Sequence, residues 1–494
     1  MGGRDHVSCG MVGLLCLGAC GGSAPGPNDA GTDCSFSDPI LAEIVATHPS
    51  PADQINYLRL QDVTNLQGIA CLSSLTELYV SSDQISDFSP LAGHPSLRTL
   101  VVSGAQVVDL TVFGVIPHLE NLSLDGQFAE VLPLASLPEL TYLTLNSPNL
   151  HVLAGLASAP RLEQINLGSS PLDSFAGLYG APVLWKVTAN NAQSVDGLHD
   201  LPALNTLDLA QSPIVSLAGL ERTPKLTYLY VDRTSIVSFE GLGQQSALSI
   251  ISAMAGQVVR LDGIAAAPNL TMLRLDEAPI PSLKGIEALK ALQTISFRRT
   301  QVETLETLAG LTQLQNVAFS GSRVTDLGPA ASMISLSSLE ASDTTIADLG
   351  PLASLPRLST VNFSNTPVSS LEPLRGASLY DLNISGTLVT DLLPIGASPS
   401  LTILSFARTP IASLNPLVSL PYIEEINADD TALTSLGNLE RLGSPVILSV
   451  LHDALDAESL ATIDRLCQAE WMVTWDGGTC GNICRVRPYV CTLP

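Results

Sequence analysis

Leu226-Thr227-Tyr228-Leu229-Tyr230-Val231, Leu270-Thr271-Met272-Leu273-Arg274-Leu275 and Leu401-Thr402-Ile403-Leu404-Ser405-Phe406 are copies of one pattern, L-x-x-L-x-L, with other apolar residues allowed at its last place. The first apolar residue of the pattern recurs at 55, 75, 97, 119, 140, 162, 184, 204, 226, 248, 270, 292, 314, 336, 358, 379, 401 and 423, and a degenerate copy starts at 445. Most intervals are 22 residues. Further apolar places recur inside the unit: Ile214, Ile236 and Ile346 at the eleventh, Leu217, Leu261 and Leu349 at the fourteenth, Leu220, Leu308 and Leu352 at the seventeenth. So many coincidences at one period identify a repeat array.

The spacing carries the physics. Alternate strand residues point to opposite faces, so the fourth and sixth places point inward and their neighbours outward. The remaining apolar places bring the chain back around the same core. One unit cannot bury its own leucines, whereas stacked units bury a continuous ladder. Proline stands two residues before the repeat leucine in many units, Pro95, Pro224 and Pro421 among them. A residue without an N–H is tolerated just before a strand and costly inside a ladder.

This period and pattern resemble leucine-rich repeats, most closely the 22-residue internalin-like type of bacterial surface proteins. Leu382-Asn-Ile-Ser-Gly-Thr-Leu-Val-Thr-Asp-Leu392 carries the resemblance well. It implies an α/β solenoid: a leucine-rich-repeat arc with a parallel sheet on its concave face and about 18–19 rungs. The ninth place departs from that family, with Thr (Thr234, Thr300, Thr344, Thr366, Thr387, Thr409, Thr431) where Asn is frequent; a threonine hydroxyl can still hydrogen-bond the turn backbone. The residues after 451 are too few for the immunoglobulin-like domain with which internalins usually continue, so an invasion role is not carried over.

The array reinterprets the composition. Of 494 residues 46% are hydrophobic but only 4% aromatic, so the core is aliphatic, and one solenoid replaces the three domains that length alone suggests. Acids outnumber bases 47 to 22, a net charge of −25, which excludes the basic face that phosphate binding needs.

Residues 1–19 carry Arg4, a short apolar stretch and then Leu17-Gly18-Ala19-Cys20. This is an export-signal pattern. It resembles the lipobox of bacterial lipoproteins, which implies lipidation of Cys20, a membrane anchor in the cell envelope and, by analogy at Gly21, the outer membrane. Residues 20–35 read as a flexible tether. Residues 36–54 read as an N-terminal cap, with Asp38 as helix N-cap, Pro39 at N1 and an apolar face of Ile40, Leu41, Ile44 and Val45. The solenoid occupies 55–451 and a C-terminal cap 452–494, where Leu460, Ile463 and Leu466 have helical spacing and Trp471, Val473 and Trp475 alternate like a strand. Cys34, Cys71, Cys467, Cys480, Cys484 and Cys491 are an even set at the two ends of an exported chain, and are expected to be disulfide staples of the caps.

Stacked at about 4.8 Å, the strands would extend the sheet to roughly 86 Å, a typical solenoid binding surface. Its outward columns are mostly Ser, Thr, Asn and Glu. Two places differ. One is Tyr142 with Trp185-Lys186; the other is Tyr228, Tyr230, Asp232, Ile250, Met272, Arg274 and Arg298. Aromatics and arginine are the types enriched at binding hot spots. No Gly-x-Ser-x-Gly, P-loop or calcium loop is present, and the seven histidines are dispersed, so no catalytic residue, cofactor or metal is expected. The expected function is non-enzymatic binding of a protein or cell-surface polymer on the concave sheet. The alternatives are a β-helix-like polysaccharide-active enzyme and a structural envelope protein without a specific ligand.

Overall fold

The computed structural model describes residues 35–481 apart from Ala105 and Gly443. Cys20, Cys34, Cys484, Cys491 and the signal segment lie outside the described residues. The described residues form one 21-stranded sheet. Nineteen strands, from Tyr57–Gln61 to Ile447–Val450, are the rungs of a leucine-rich-repeat solenoid, including the degenerate copy at 445. Each pairs in parallel with the next and in constant register, so that Leu229, Ile251, Leu273 and Ile295 stand in one line. Parallel pairing of consecutive strands needs a long crossover. Here short 3-10 turns such as Ile264–Ala266 and Ile286–Ala288 provide the return path. With 3-10 turns opposite a single sheet, the described residues do not build the several stacked sheets of a β-helix.

Both inward places behave as the period requires: Leu229, Val231, Leu273 and Leu275 are fully buried. Six of the ninth-place threonines, Thr234 to Thr409, are buried, and the hydroxyls of Thr234, Thr300, Thr344 and Thr409 donate to the carbonyl three residues back at 2.8, 2.7, 2.7 and 2.6 Å. Each closes the turn that leaves the strand, as expected. Thr431 differs: its amide and hydroxyl both donate to Asp453, at 2.8 Å. Gly263 shows why some return turns demand glycine. Its φ is +90°, and a Cβ there would lie 2.3 Å from the Phe239 carbonyl oxygen.

At the first rung, helix α1 (Pro39–Thr47) covers the open end. Leu41 is fully buried, while Ile44 and Val45 pack against the core from partly buried positions. Cys71 is disulfide-bonded. At the last rung, helix α2 (Ala457–Gln468) is capped by Asp456, whose carboxylate accepts the Ser459 amide at 2.8 Å. The strand Met472–Trp475 then adds in parallel to Ile447–Val450, and Gly478–Cys480 turns back antiparallel to it. Cys467 and Cys480 form a disulfide between the end of α2 and this hairpin. Trp471 and Val473 are buried as their alternation predicts. The helix forms where its spacing predicts, but Leu460 is off the buried face: it is 46% exposed, and α2 buries Ser459, Thr462, Ile463 and Leu466.

Candidate functional site

The sheet register turns repeat places into surface columns. In the third place Thr206, Tyr228, Ile250, Met272 and Thr294 are consecutive neighbours. In the fifth, Asp208, Tyr230, Ser252, Arg274 and Ser296 are. At the spacing of parallel strands, about 4.8 Å, Tyr228, Ile250 and Met272 make one continuous shelf. All three are half-buried, as is Tyr230 beside them. Arg274 is exposed, and its guanidinium has no ion pair or hydrogen bond among the described residues. The sequence-selected residues of this patch are therefore adjacent in space.

The seventh place has a different use. One oxygen of the Asp232 carboxylate accepts the Ser252 hydroxyl and the Met254 amide, both at 2.7 Å. Asp276 does the same for the Ser296 hydroxyl and the Arg298 amide, and Asp429 for the Ser449 hydroxyl and the Leu451 amide. An aspartate on one rung thus satisfies an orphan backbone N–H on the next, provided that a serine stands in the next fifth place. Asp232 ties rungs together as well as facing the groove.

Arg298 reaches over an intervening rung to Glu340, with N–O distances of 2.6 and 3.2 Å. It also donates to the Ser296 hydroxyl at 2.9 Å and lies 3.6 Å from the Asp276 carboxylate. The intervening rung offers the small Ala318, which is buried, so nothing obstructs the crossing. This strap divides two hollows. An open groove of about 990 Å³ follows the seventh and eighth places from Ala210 to Asp343. A smaller hollow of about 290 Å³ lies over Met272, Arg274 and Ala318; Arg298 and Glu340 belong to both.

Tyr142 is 45% exposed, and in the third-place column Gln164 separates it from Lys186. Trp185 stands in the second place and is half-buried, as is Lys186. With a strand between them, these residues do not form a contiguous patch.

One cluster escaped the sequence reading. On the first two rungs the rings of Tyr57 and Tyr79 lie 5.5 Å apart, and Arg59 is in register with Tyr79. Burial and the Glu77 carboxylate raise the Tyr79 phenol above its ordinary value. The same column rule would have found it, because Tyr57 is a third-place residue and Arg59 and Tyr79 are fifth-place residues. At the opposite end the third-place column is acidic: Asp381 and Glu425 flank Ile403, and burial together with the Glu425 charge raises the Asp381 carboxyl. Among the described residues no three His, Cys, Asp or Glu side chains gather as a metal site requires.

No family model matches the chain, and no curated protein matches it by sequence. Solved structures do. A leucine-rich-repeat protein of Leptospira interrogans aligns at 14% identity over 88% of this chain and 98% of its own, with a TM-score of 0.55. The plant peptide hormone receptor RGFR1, solved in complex with RGF2, aligns at 15% identity over 82% of this chain and 69% of its own, with a TM-score of 0.50. The fold is that of the leucine-rich repeats. Internalin C2 of Listeria monocytogenes matches at 26% identity over 38% of this chain and 81% of its own, with a TM-score of 0.34.

Proposed function

We propose that the chain is an exported, lipid-anchored and non-enzymatic binding protein of the bacterial cell envelope, which holds a protein or a cell-surface polymer on the concave sheet of its repeat array. The observation that carries this reading is the alignment of Tyr228, Ile250 and Met272 into one half-buried shelf beside Tyr230 and the unpaired Arg274. Clustered rings and an arginine, ringed by polar side chains, are what hot spots are made of. The mainly Ser, Thr and Asn surroundings suit a polar rim. The fold is compatible: a peptide hormone receptor is among its solved examples.

Binding is tested with the purified chain, immobilised and exposed to proteins and polymers extracted from the envelope. The double variant Tyr228→Ala/Tyr230→Ala should weaken retention of the principal ligand at least tenfold, since each ring at a hot spot contributes about 1–2 kcal/mol or more. A variant that retains every ligand as the wild type does removes this surface from consideration.

The anchor has a separate test. Cys20 stands where the lipobox places the lipidated residue, and the Gly/Pro/polar stretch after it provides the tether. Cys20→Ser should move the protein from the membrane fraction to the soluble one. Unchanged partitioning would show that another element holds it.

A further inference from the structure

We propose that the hollow over Arg274 receives an acidic side chain of an extended protein segment, and that the Met272–Ile250–Tyr228 shelf receives an apolar side chain two residues from it in the same segment. This deepens the binding-surface reading above and rests on it.

Charge is the first argument. The chain carries a net −25, so a partner that is anionic throughout is repelled, and an anionic group can be held only where a local cation awaits it. Arginines in the third and fifth places of the sheet are Arg59 and Arg274. At Arg274 a second guanidinium, Arg298, stands over the neighbouring fifth place through its bond to Ser296, which is in register with Arg274. Arg298 is already neutralised by Glu340 at 2.6 Å and by Asp276. Arg274 has no such partner among the described residues. The planar fork of a guanidinium matches a carboxylate in two parallel hydrogen bonds. One unpaired arginine beside one satisfied arginine therefore accommodates one carboxylate, not a polyanion.

Spacing is the second argument. Met272 and Arg274 are two residues apart on one strand and face the same side, about 6.6 Å from each other along it. Alternate residues of an extended segment repeat at the same distance. A partner strand lying along this rung would set a carboxylate on Arg274 and, two residues away, an apolar side chain on Met272, with Ile250 and Tyr228 extending the apolar floor across the next two rungs. The hollow of about 290 Å³ is the size of one or two side chains, not of a folded module.

The probe is a displayed library of random linear peptides, selected on the purified wild-type chain and in parallel on Arg274→Glu and on Tyr228→Ala/Tyr230→Ala. Arg274 is exposed and unbonded, so thermal unfolding of Arg274→Glu should match the wild type. Wild-type selection should enrich Asp or Glu two residues from an aromatic or aliphatic residue. Individual enriched peptides should lose about tenfold in affinity for Arg274→Glu. They should recover it when their acidic residue is changed to Lys, which a merely structural role for Arg274 would not produce. Enrichment without acidic residues, failure to enrich any peptide, or enriched peptides that bind Arg274→Glu unchanged would overturn the proposal. If the tyrosine variant alone loses binding, the surface stands and the carboxylate assignment falls. If neither variant loses binding, both readings fall.

Discussion

Replacing Phe297 by Ala should lower the unfolding free energy by about 3–5 kcal/mol, the range for truncating a fully buried ring. Phe297 is 0% exposed and occupies the sixth, inward place of its rung. Its ring lies parallel to that of Phe319 on the next rung, with centroids 5.7 Å apart and an interplanar angle of 18°. Such stacking adds roughly 0.5–1.5 kcal/mol to the burial of area. The cavity cannot close by collapse, because the rungs on either side are held at the spacing of the hydrogen-bonded sheet. Since each rung packs its core against its immediate neighbours, hydrogen exchange should quicken first in the rungs around 270–340 and least near the caps. Denaturant titration measures the total, and a loss below about 1 kcal/mol would show that the sixth-place column is not a rigid part of the core.

The sixth place also marks how far periodicity reads. That it points inward follows from the two-residue alternation of a strand. Which apolar residue fills it does not, because size is set by the rungs above and below. Phe297 and Phe319 are followed by Ala341, then Phe363, Ile384, Phe406 and Ala428, all buried, so bulky and small residues share the width of one core. The tyrosines, Met272 and Arg274 were legible as a patch because a constant register makes places equivalent to neighbours. Arg298 was legible only as a position. Its engagement with Glu340, 42 residues away, depends on a side-chain path over Ala318 that no period encodes. Leu460 failed for a geometric reason. At about 100° per residue, Leu460 and Leu466 are roughly 120° apart around the helix, so one apolar face cannot hold both at its centre. The seventh-place aspartates were legible as charges and not as ties between rungs, because their partner is a serine of the following repeat.

Asp38→Ala should cost about 2–4 kcal/mol and selectively release the N-terminal cap. Asp38 is 1% exposed. One carboxylate oxygen accepts the amides of Ile40 and Leu41 at 2.9 and 3.0 Å and so caps α1. The other accepts the amide and hydroxyl of Thr64 at 2.6 and 2.7 Å and so ties the helix to the first rung. Losing a cap costs about 1 kcal/mol. Leaving the Thr64 donors without an acceptor costs about 1–3 kcal/mol more. Acid should have the same effect in wild type. Burial opposes ionisation of Asp38, but the Thr64 hydroxyl and amide and the amides of Leu41 and Ile40 outweigh it and hold the pKa at about 2, below the ordinary 3.8. The folded-state pKa is the lower one, so the contribution is complete above pH 3.8 and is lost as pH falls from there toward 2. It amounts to about 2 kcal/mol at 1.36 kcal/mol per unit. Other carboxylates titrate in the same window, Asp87, Asp109 and Asp456 among those lowered by their hydrogen bonds, so the wild type must be compared with Asp38→Asn. The amide keeps an acceptor oxygen but has no charge to lose. The stability gap between wild type and Asp38→Asn should therefore be constant at neutral pH and close between pH 4 and 2; a gap that stays open there would mean that the Asp38 charge does not hold the cap on the array.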